Sequence, residues 1–441
     1  MSQLGNPEHL KPELLVPAHR PDPIQKPRPA EEHSGRTGVA ANHPSQGASA
    51  SQDASSGQTA NGQTAKAEQA SSTSTAGATA TMLGIGTAVP VHRVASNVSF
   101  KLAKELSCST AIQSRKVAAL YRRTGIEHRG SVLLDCNPAE EIVNDFYPPA
   151  TSPEDRGPGT KQRSDRYADE APRLAIESSK KALADAKMDA SEITHLVTIS
   201  CTGFSAPGID VALIDDLGLP ATTQRVQVGF MGCHAAINGL RVAQGLVAAN
   251  PEAKVLMCSV ELCTLHYQYG YDPDRIVSGA LFADGSAAVV LQASTPDAST
   301  LLGDVAASGS YLVPDSRDAM TWRIGDSGFE MTLSARVPGL IESDLKAFLV
   351  DWLAKHGETI DSIEGWAVHP GGSRILTAVE KAIDLPKDAL AVSRSVLSDH
   401  GNMSSATMLF ILQRFAKAGK PKPWLMLGFG PGLEIEVTLI R

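Results

Sequence analysis

The stretch VGFMGCHAAINGLRVA, at residues 228–243, contains the pattern that decides the fold. RVQVGF at 225–230 predicts a strand, and HAAINGLRVAQGLVAAN at 234–250 is apolar nearly all round, which predicts a buried helix. Cys233 lies at the junction, and Gly229 and Gly232 permit a tight turn that exposes its sulfur. The positive end of the helix dipole there is expected to favour the thiolate. The alternative for a single cysteine is a small, inert core residue.

Strands and helices alternate on both sides of this stretch. Strands are predicted at MLGIGTAVP (82–90), ITHLVTISC (193–201), AKVLMCSVE (253–261), SAAVVLQAS (286–294), EGWAVHP (364–370) and within WLMLGFGPGLEIEVTLIR (424–441). Helices are predicted at 168–188, 339–357, 371–383 and 402–419, and a surface loop at 137–165. Such alternation predicts a layered α/β fold with helices on both faces of the sheets.

The chain divides into three regions. Residues 1–80 are almost entirely small and polar or rich in proline, and they are predicted to form a disordered low-complexity tail. Residues 81–300 and 301–441 share a plan, because each has an apolar strand that delivers a reactive residue to a following helix. The first half delivers Cys233 and the second delivers His369. This predicts a duplicated core.

Composition excludes several classes of function. The chain has 441 residues with a formal net charge of −8, which argues against nucleic acid as a partner. No window has the 18 or more apolar residues of a membrane span, and the first residues do not have the layout of a secretory signal, so a cytoplasmic protein is expected. The six cysteines include no CxxC pair, so we expect reduced thiols and no metal site.

Two further residues complete a possible reactive group. His369 ends an apolar strand before Pro370-Gly371-Gly372, and Asn402 opens the predicted helix at 402–419. Taken singly, the histidine fits a loop residue bonded to backbone, and the asparagine fits a helix cap. Together with Cys233, these two residues could form one catalytic group. A cysteine thiolate attacks a thioester carbonyl, and His and Asn side chains donate hydrogen bonds to the oxyanion that develops, including the enolate left when malonyl-CoA loses CO2.

Six segments carry a resemblance to a known family. They are CTGFSAPG, VGFMGCHAAINGLRVA, GALFADGSAAVVL, WAVHPGGSRIL, DHGNMSSATMLFIL and GFGPGLEIEV. From Met82 to Arg441 the sequence resembles the type III polyketide synthases, the chalcone and stilbene synthase family. The resemblance implies a thiolase-like fold of two similar αβαβα halves, a homodimer, and a catalytic triad of Cys233, His369 and Asn402. It also implies acyl-CoA and malonyl-CoA substrates, without a carrier protein or a cofactor.

The resemblance extends to other site residues. Phe282 matches one gatekeeper aromatic, Ser404 matches a serine near the cyclisation cavity, and Gly428, Gly430 and Gly432 match the glycine loop that shapes it. CoA-phosphate contacts carry over loosely to Lys116 and Arg123, with Arg374 as a further candidate, and a solvated surface charge is the alternative for each.

The sequence also departs from the plant members of the family. Met331 stands where they have the second gatekeeper Phe, Ala206 stands where they have a Met, and residues 264–271 are about two residues shorter. The pattern is bacterial rather than plant-like. The expected reaction is iterative decarboxylative condensation of malonyl-CoA onto an acyl-CoA starter held on Cys233, then cyclisation to an aromatic or pyrone product. The alternatives are a β-ketoacyl-carrier-protein synthase III-like enzyme and a non-catalytic thiolase-like scaffold.

Overall fold

The protein is described by a computed structural model over residues 78–136, 141–144, 146–295 and 302–441. Its helices there are α1 (Ser96–Ser107), α2 (Ala111–Thr124), α3 (Thr160–Ala186), α4 (Ile209–Leu217), α5 (Ala235–Ala249), α6 (Pro273–Leu281), α7 (Val337–Lys355), α8 (Ser373–Ala382), α9 (Ala391–His400) and α10 (Ala406–Lys417). The strands of its main sheet are β1 (Ala80–Ala88), β6 (His195–Ser200), β7 (Gln224–Gly229), β8 (Val255–Leu262), β9 (Asp284–Ala293), β10 (Asp304–Leu312), β13 (Gly365–Val368), β14 (Trp424–Gly430) and β15 (Glu434–Ile440). Three short ladders pair β2 (Arg93–Ala95) with β3 (His128–Gly130), β4 (Asp135–Cys136) with β5 (Ile142–Val143), and β11 (Met320–Gly325) with β12 (Gly328–Leu333).

The main sheet consists of two parts with the same plan. Its order is β13-β14-β15-β10-β1-β9-β8-β6-β7, and the parts meet where β1 pairs with β10 over two residue pairs, Ala80 with Val305 and Thr81 with Asp304. In one part β6 runs parallel to β8, while β8–β9 and β9–β1 are antiparallel. In the other, β13 runs parallel to β14, while β14–β15 and β15–β10 are antiparallel. The duplicated plan is therefore visible in strand order and direction.

Successive side chains along a strand pack against helices on opposite faces of the sheet. In β6, Leu196 joins the core formed with α3, whereas its neighbour Val197 joins the core that holds α5 and α10. In β14, Met426 faces that same central core and Leu427 faces the core formed with α7 and α8. Because strand side chains alternate between faces, one apolar strand serves two cores. The result is the layered αβαβα arrangement with α5 and α10 at the centre.

Two glycines let α3 lie directly on β1. A Cβ at Gly86 would be 2.1 Å from the carbonyl oxygen of Ser178, and one at Gly84 would be 2.2 Å from the amide nitrogen of Ala186. Both neighbours are backbone atoms of the helix or its end, so the layers would have to separate to accommodate a side chain.

Gly86→Ala is therefore expected to lower the free energy of unfolding by about 3 kcal/mol, because a methyl group overpacks this contact. Urea unfolding followed by circular dichroism measures the change. Gly245→Ala in α5 is the matched control, since a Cβ there meets nothing within 4 Å; it is expected to stabilise the helix by about 0.5–1 kcal/mol. Equal stability of Gly86→Ala and the native chain would show that the α3–β1 contact is not tight.

Two predicted helix starts were wrong by about four residues or more. Helix α3 begins at Thr160, not at residue 168, so the predicted surface loop ends at Gly159. The first turn looks like a loop because its exposed side is polar, yet Gly159 donates its N–H to Gln162 and Lys161 pairs with Asp165 one turn on. Helix α10 begins at Ala406, four residues after Asn402.

The predicted tail at 1–80 lies outside the described residues up to residue 77. Ala80 already belongs to β1. Residues 137–140 and 145 of the predicted loop also lie outside them. In the part of the chain that the structure describes, no helix is long and apolar enough to cross a membrane.

Candidate active site

Cys233 lies in the turn between β7 and α5, two residues before the helix begins. The turn needs unusual backbone angles, with φ of +61° at Phe230 and +89° at Gly232. A Cβ at Gly232 would also be 2.4 Å from Cδ of Pro431. Glycine is therefore required next to the cysteine both for its conformation and for the close approach of the turn after β14.

The thiol of Cys233 is 8% exposed, and burial raises its pKa to about 12. Hydrogen bonds with the side chains of Ser404 and Asn402 lower this pKa, while the charge of Glu261 raises it. Desolvation therefore opposes the thiolate that the position of Cys233 at the helix N-terminus is expected to favour.

His369 follows β13 and is held by its backbone. Its N–H donates to the carbonyl oxygen of Leu427 at 2.8 Å, which continues the β13–β14 pairing by one residue. The side chain is 1% exposed, and neither ring nitrogen has a hydrogen-bond partner within the described residues. Burial first, and the charge of His234 second, lower its pKa to about 3. The imidazole is therefore neutral and has both nitrogens free for a substrate.

The sequence predicted that Asn402 begins the helix α10, and this was wrong. Asn402 lies before the helix and forms an isolated β-bridge with Phe282. The N–H of Asn402 donates to the Leu281 carbonyl, and the Ala283 N–H donates to the Asn402 carbonyl, both at 2.9 Å. Its Oδ1 accepts the Ser404 N–H at 2.9 Å. Because the side-chain oxygen is engaged, the side-chain amide is left to donate elsewhere.

The three predicted catalytic residues line one inner cavity of about 30 Å³. Phe282 and Met331 also line this cavity. A second inner cavity of about 20 Å³ shares Cys233, Phe282 and Met331 and adds Ser404, Cys201 and Trp322. These volumes are too small for an acyl chain, so Phe282 or Met331 must move when substrate enters. Met331 has the more adaptable side chain.

A larger outer pocket of about 350 Å³ adjoins the inner cavity and shares Leu281, Leu333, Gly371 and Ile375 with it. Arg123 on α2 and Arg374 on α8 both line this outer pocket. Lys116, the third predicted CoA contact, lies two turns earlier on α2 and outside the pocket lining. The structure thus brings together two of the three candidate cations.

The segment with Gly428, Gly430 and Gly432 lies against the turn that holds Cys233. A Cβ at Gly430 would be 2.2 Å from Nε2 of His234, and one at Gly428 would be 2.7 Å from its Cβ. Gly432 has φ of +101° and begins the turn into β15. Phe429 and Pro431, which alternate with these glycines, line the inner cavities. The glycines make room for His234, and the residues between them face the site.

The segment at 264–271, predicted to be shorter than in plant members of the family, contributes to a third cavity of about 30 Å³ that Phe282 also lines. Thr264, His266 and Tyr267 contribute to it. The ring of His266 is fully bonded, since the N–H of Phe329 donates to its Nδ1 and its Nε2 faces the Thr202 carbonyl at 2.7 Å. His266 therefore joins the β11–β12 hairpin to the strand end beside Cys201, and it is a structural residue.

Arg129 is a site residue that the sequence did not indicate. Its guanidinium is 3% exposed and donates to the carbonyls of Gly279, Ala280 and Phe282 at 2.6–3.1 Å. These carbonyls end α6, so the arginine caps the helix and fixes the backbone of Phe282. No local pattern could indicate this, because about 150 residues separate the partners.

Within the described ranges no cluster of three or more His, Cys, Asp or Glu side chains is arranged to hold a metal ion. The five cysteines whose side chains are described, Cys108, Cys201, Cys233, Cys258 and Cys263, are free thiols.

A thiolase-like α/β fold with a cysteine, a histidine and an asparagine around one buried cavity defines an acyltransferase of the condensing type. The chain belongs to the family of chalcone and stilbene synthases, the type III polyketide synthases. The model of the family's N-terminal domain matches residues 67–295, and that of its C-terminal domain matches residues 304–441.

Relatives of known name agree with this assignment. The chain is 33% identical over 365 residues to 1,3,6,8-tetrahydroxynaphthalene synthase of Streptomyces peucetius subsp. caesius, covering 81% of this chain and 92% of that one. It is 34% identical over 291 residues to the alpha-pyrone synthesis polyketide synthase-like Pks18 of Mycobacterium tuberculosis, covering 64% and 74%. The crystal structure of PKS-I from the brown alga Ectocarpus siliculosus superposes with a TM-score of 0.77 at 28% identity, covering 83% of this chain and 98% of that one.

Proposed function

We propose that the chain loads an acyl-CoA starter onto Cys233 and extends it with malonyl-CoA, with His369 and Asn402 as the other two catalytic residues. The observation that carries this proposal is the shared inner cavity, in which a buried thiol, a neutral imidazole with two free nitrogens and a side-chain amide face one space. A free imidazole at that place accepts the thiol proton and gives it to the departing CoA thiolate.

Extension uses the same groups as hydrogen-bond donors. Malonyl-CoA loses CO2, and the electron pair of the broken bond forms an enolate whose oxygen accepts hydrogen bonds from His369 and Asn402. The enolate carbon attacks the Cys233 thioester, which releases the Cys233 thiolate and leaves a β-ketoacyl-CoA. For another round the thiolate attacks this thioester, so the longer chain returns to Cys233 and CoA thiolate leaves; otherwise the chain cyclises. Among the described residues no Asp or Glu lines this cavity, so the malonyl carboxylate is lost as CO2 without a proton transfer from an acidic side chain.

The product is proposed to be an aromatic or pyrone compound, as the names of the two bacterial relatives indicate for those proteins. The cavity that Phe282 shares with residues 264–267 offers room for a starter once the side chain of Phe282 or of the adaptable Met331 moves. Product analysis with short, aromatic and long-chain acyl-CoA starters identifies the preferred one.

The test of the proposed function is the source of the extender. Purified protein is incubated with a starter acyl-CoA and malonyl-CoA, and separately with malonyl-carrier protein. Polyketide formation from malonyl-CoA alone supports the proposal, whereas strict dependence on the carrier protein would indicate a β-ketoacyl-carrier-protein synthase III-like enzyme.

Arg123 and Arg374 are proposed to bind the phosphates of CoA. Arg374→Ala is expected to raise KM for malonyl-CoA about tenfold with little change in kcat, because a charge-assisted contact remote from the reacting atoms is lost. Lys116→Ala is the matched control, since it removes a cation of α2 that lies outside the pocket. A short malonyl thioester without phosphates should show no difference between the two variants, and an equal KM for Arg374→Ala and the native chain would contradict the assignment.

A homodimer in the cytoplasm is the proposed state of the protein. The edge strand β7 has no neighbour on its outer side within the described residues, and Val226 on it and Phe204 beside it are each about 40% exposed. Open strand edges with apolar side chains are usually covered in native proteins. Analytical ultracentrifugation is expected to give twice the chain mass.

A further inference from the structure

The third cavity, which Phe282 shares with residues 264–267, contains two buried polar groups that have no hydrogen-bond partner among the described residues. They are Nε of Arg129 and the hydroxyl of Ser99 on α1. Both residues line the cavity, and they are only 3% and 5% exposed. A serine within a helix commonly donates to a carbonyl three or four residues earlier, and Ser99 makes no such bond within the described ranges.

The other oxygen- and nitrogen-bearing side chains of this cavity are already engaged. Their partners are Tyr267 for Tyr121, the Thr264 carbonyl for Tyr147, Asp284 for the Thr264 hydroxyl, Phe329 and Thr202 for His266, and Ser107 for Tyr267. The Nε of an arginine can only donate a hydrogen bond, and a serine hydroxyl can donate one. A ligand group that satisfies both therefore has to be an acceptor. Buried donors in native proteins nearly always have such a partner.

This cavity adjoins the nucleophile. Cys263 and Phe282 line both the third cavity and the inner cavity that holds Cys233 and Ser404. An acyl group on Cys233 that extends past Cys263 and Phe282 therefore enters the third cavity with its far end. Its apolar stem can pack against the leucines of the wall, Leu102 and Leu134.

The charges around the two donors favour an uncharged acceptor. Arg129 forms no direct ion pair in the part of the chain that the structure describes, but the charge of Asp284 acts on it. Asp284 is fully buried too, and burial raises its pKa to about 6, so it is ionised at pH 8. One buried cation and one buried carboxylate balance each other. A second carboxylate, brought in by a ligand, would lose its hydration without a cation of its own.

We propose that the third cavity is a subsite for the far end of the starter acyl group, and that Arg129 and Ser99 select a starter with an uncharged oxygen acceptor, such as a ketone, over an alkyl chain. This inference rests on the proposed function of Cys233. It narrows the starter to an oxygenated acyl-CoA, and it makes Ser99 and Arg129 specificity-determining residues. Neither of them acts on the reacting thioester.

The test is a competition between matched starters for Cys233 in the full chain at pH 8. Three pairs place a ketone at increasing distance from the thioester: 5-oxohexanoyl-CoA with hexanoyl-CoA, 7-oxooctanoyl-CoA with octanoyl-CoA, and 9-oxodecanoyl-CoA with decanoyl-CoA. The ratio of the two adducts is read by intact-protein mass spectrometry. In the pair whose ketone reaches the donors, the ketone starter is expected to load about tenfold faster, because only it pairs with both donors.

Ser99→Ala is expected to reduce that ratio to about twofold, because one of the two donors is lost. Ser393→Ala is the matched control; its hydroxyl is also fully buried and without a partner within the described residues, but it lies on α9 and lines none of the three cavities. It should keep the native ratio. Arg129 is left in place because it also caps α6. The ratio within one variant is insensitive to a general loss of activity.

Three results would overturn the inference. They are equal or slower loading of the ketone starter in every pair, which would mean that solvent satisfies the donors; an unchanged ratio in Ser99→Ala; and faster loading of the dicarboxylic analogue, such as glutaryl-CoA for the six-carbon pair, than of the ketone. The proposed function fails differently. If it is wrong, neither member of any pair forms an adduct on Cys233 or is extended with malonyl-CoA.

Discussion

Cys233→Ala is expected to abolish polyketide formation, with a loss of at least about 10⁴-fold in kcat, because both starter loading and each condensation pass through the thioester on its sulfur. No acyl adduct should form on the variant with any starter acyl-CoA. The measurement is product formation by liquid chromatography, together with intact-protein mass spectrometry after incubation with starter.

Cys258→Ala is the matched control for this experiment. Cys258 is also fully buried, but its sulfur lies near Ser178 and Ser286 on the α3 side of the sheet, away from the cavities. This variant should retain product formation and its adduct. A Cys233→Ala enzyme that still forms an adduct at another cysteine would contradict the assignment of the nucleophile.

Asn402→Ala is expected to lower malonyl-CoA decarboxylation by about 10²–10³-fold, because one of two donors to the enolate oxygen is lost. Starter loading should change much less, since Asn402 does not take the thiol proton. His369→Ala should impair both steps. Release of CO2 from labelled malonyl-CoA and the rate of adduct formation measure the two steps separately.

His195→Gln is the control for the histidine. His195 is buried like His369, but it begins β6 at the end of the strand opposite to Cys201. The His195→Gln variant should load the starter and decarboxylate malonyl-CoA at the native rates. Equal losses in starter loading and decarboxylation for Asn402→Ala would show that the side chain holds the site together rather than stabilising the enolate.

The alternation of apolar segments was sufficient to predict the strands and helices that carry Cys233 and His369. Buried strands such as β8 and β14 are continuous apolar runs, and α5 is apolar nearly all round, so the layered architecture follows from short-range pattern. The start of α3 was missed because an exposed, polar first turn has no apolar periodicity. Asn402 was misplaced because asparagine before an apolar helix normally indicates a cap.

The remaining features depend on contacts between distant parts of the chain. Arg129 fixes the backbone of Phe282, and Gly430 admits the ring of His234; in each case the partners are far apart in sequence. The position of Arg374 on the same pocket as Arg123 likewise follows only from the packing of α8 near α2. The residue type at such a position suggests what it could do, but only the folded structure shows which partner it contacts.

Single-turnover mass spectrometry of the whole protein shows directly whether Cys233 carries an acyl chain that grows from malonyl-CoA. After loading with a starter acyl-CoA and removal of excess reagent, malonyl-CoA is added and the Cys233-containing peptide is followed with time. The prediction is a starter adduct on Cys233 that is replaced by adducts longer by successive two-carbon ketide units, and then by free thiol as product leaves. A starter adduct that persists unchanged in the presence of malonyl-CoA, or growth of a chain on any other residue, would contradict the account.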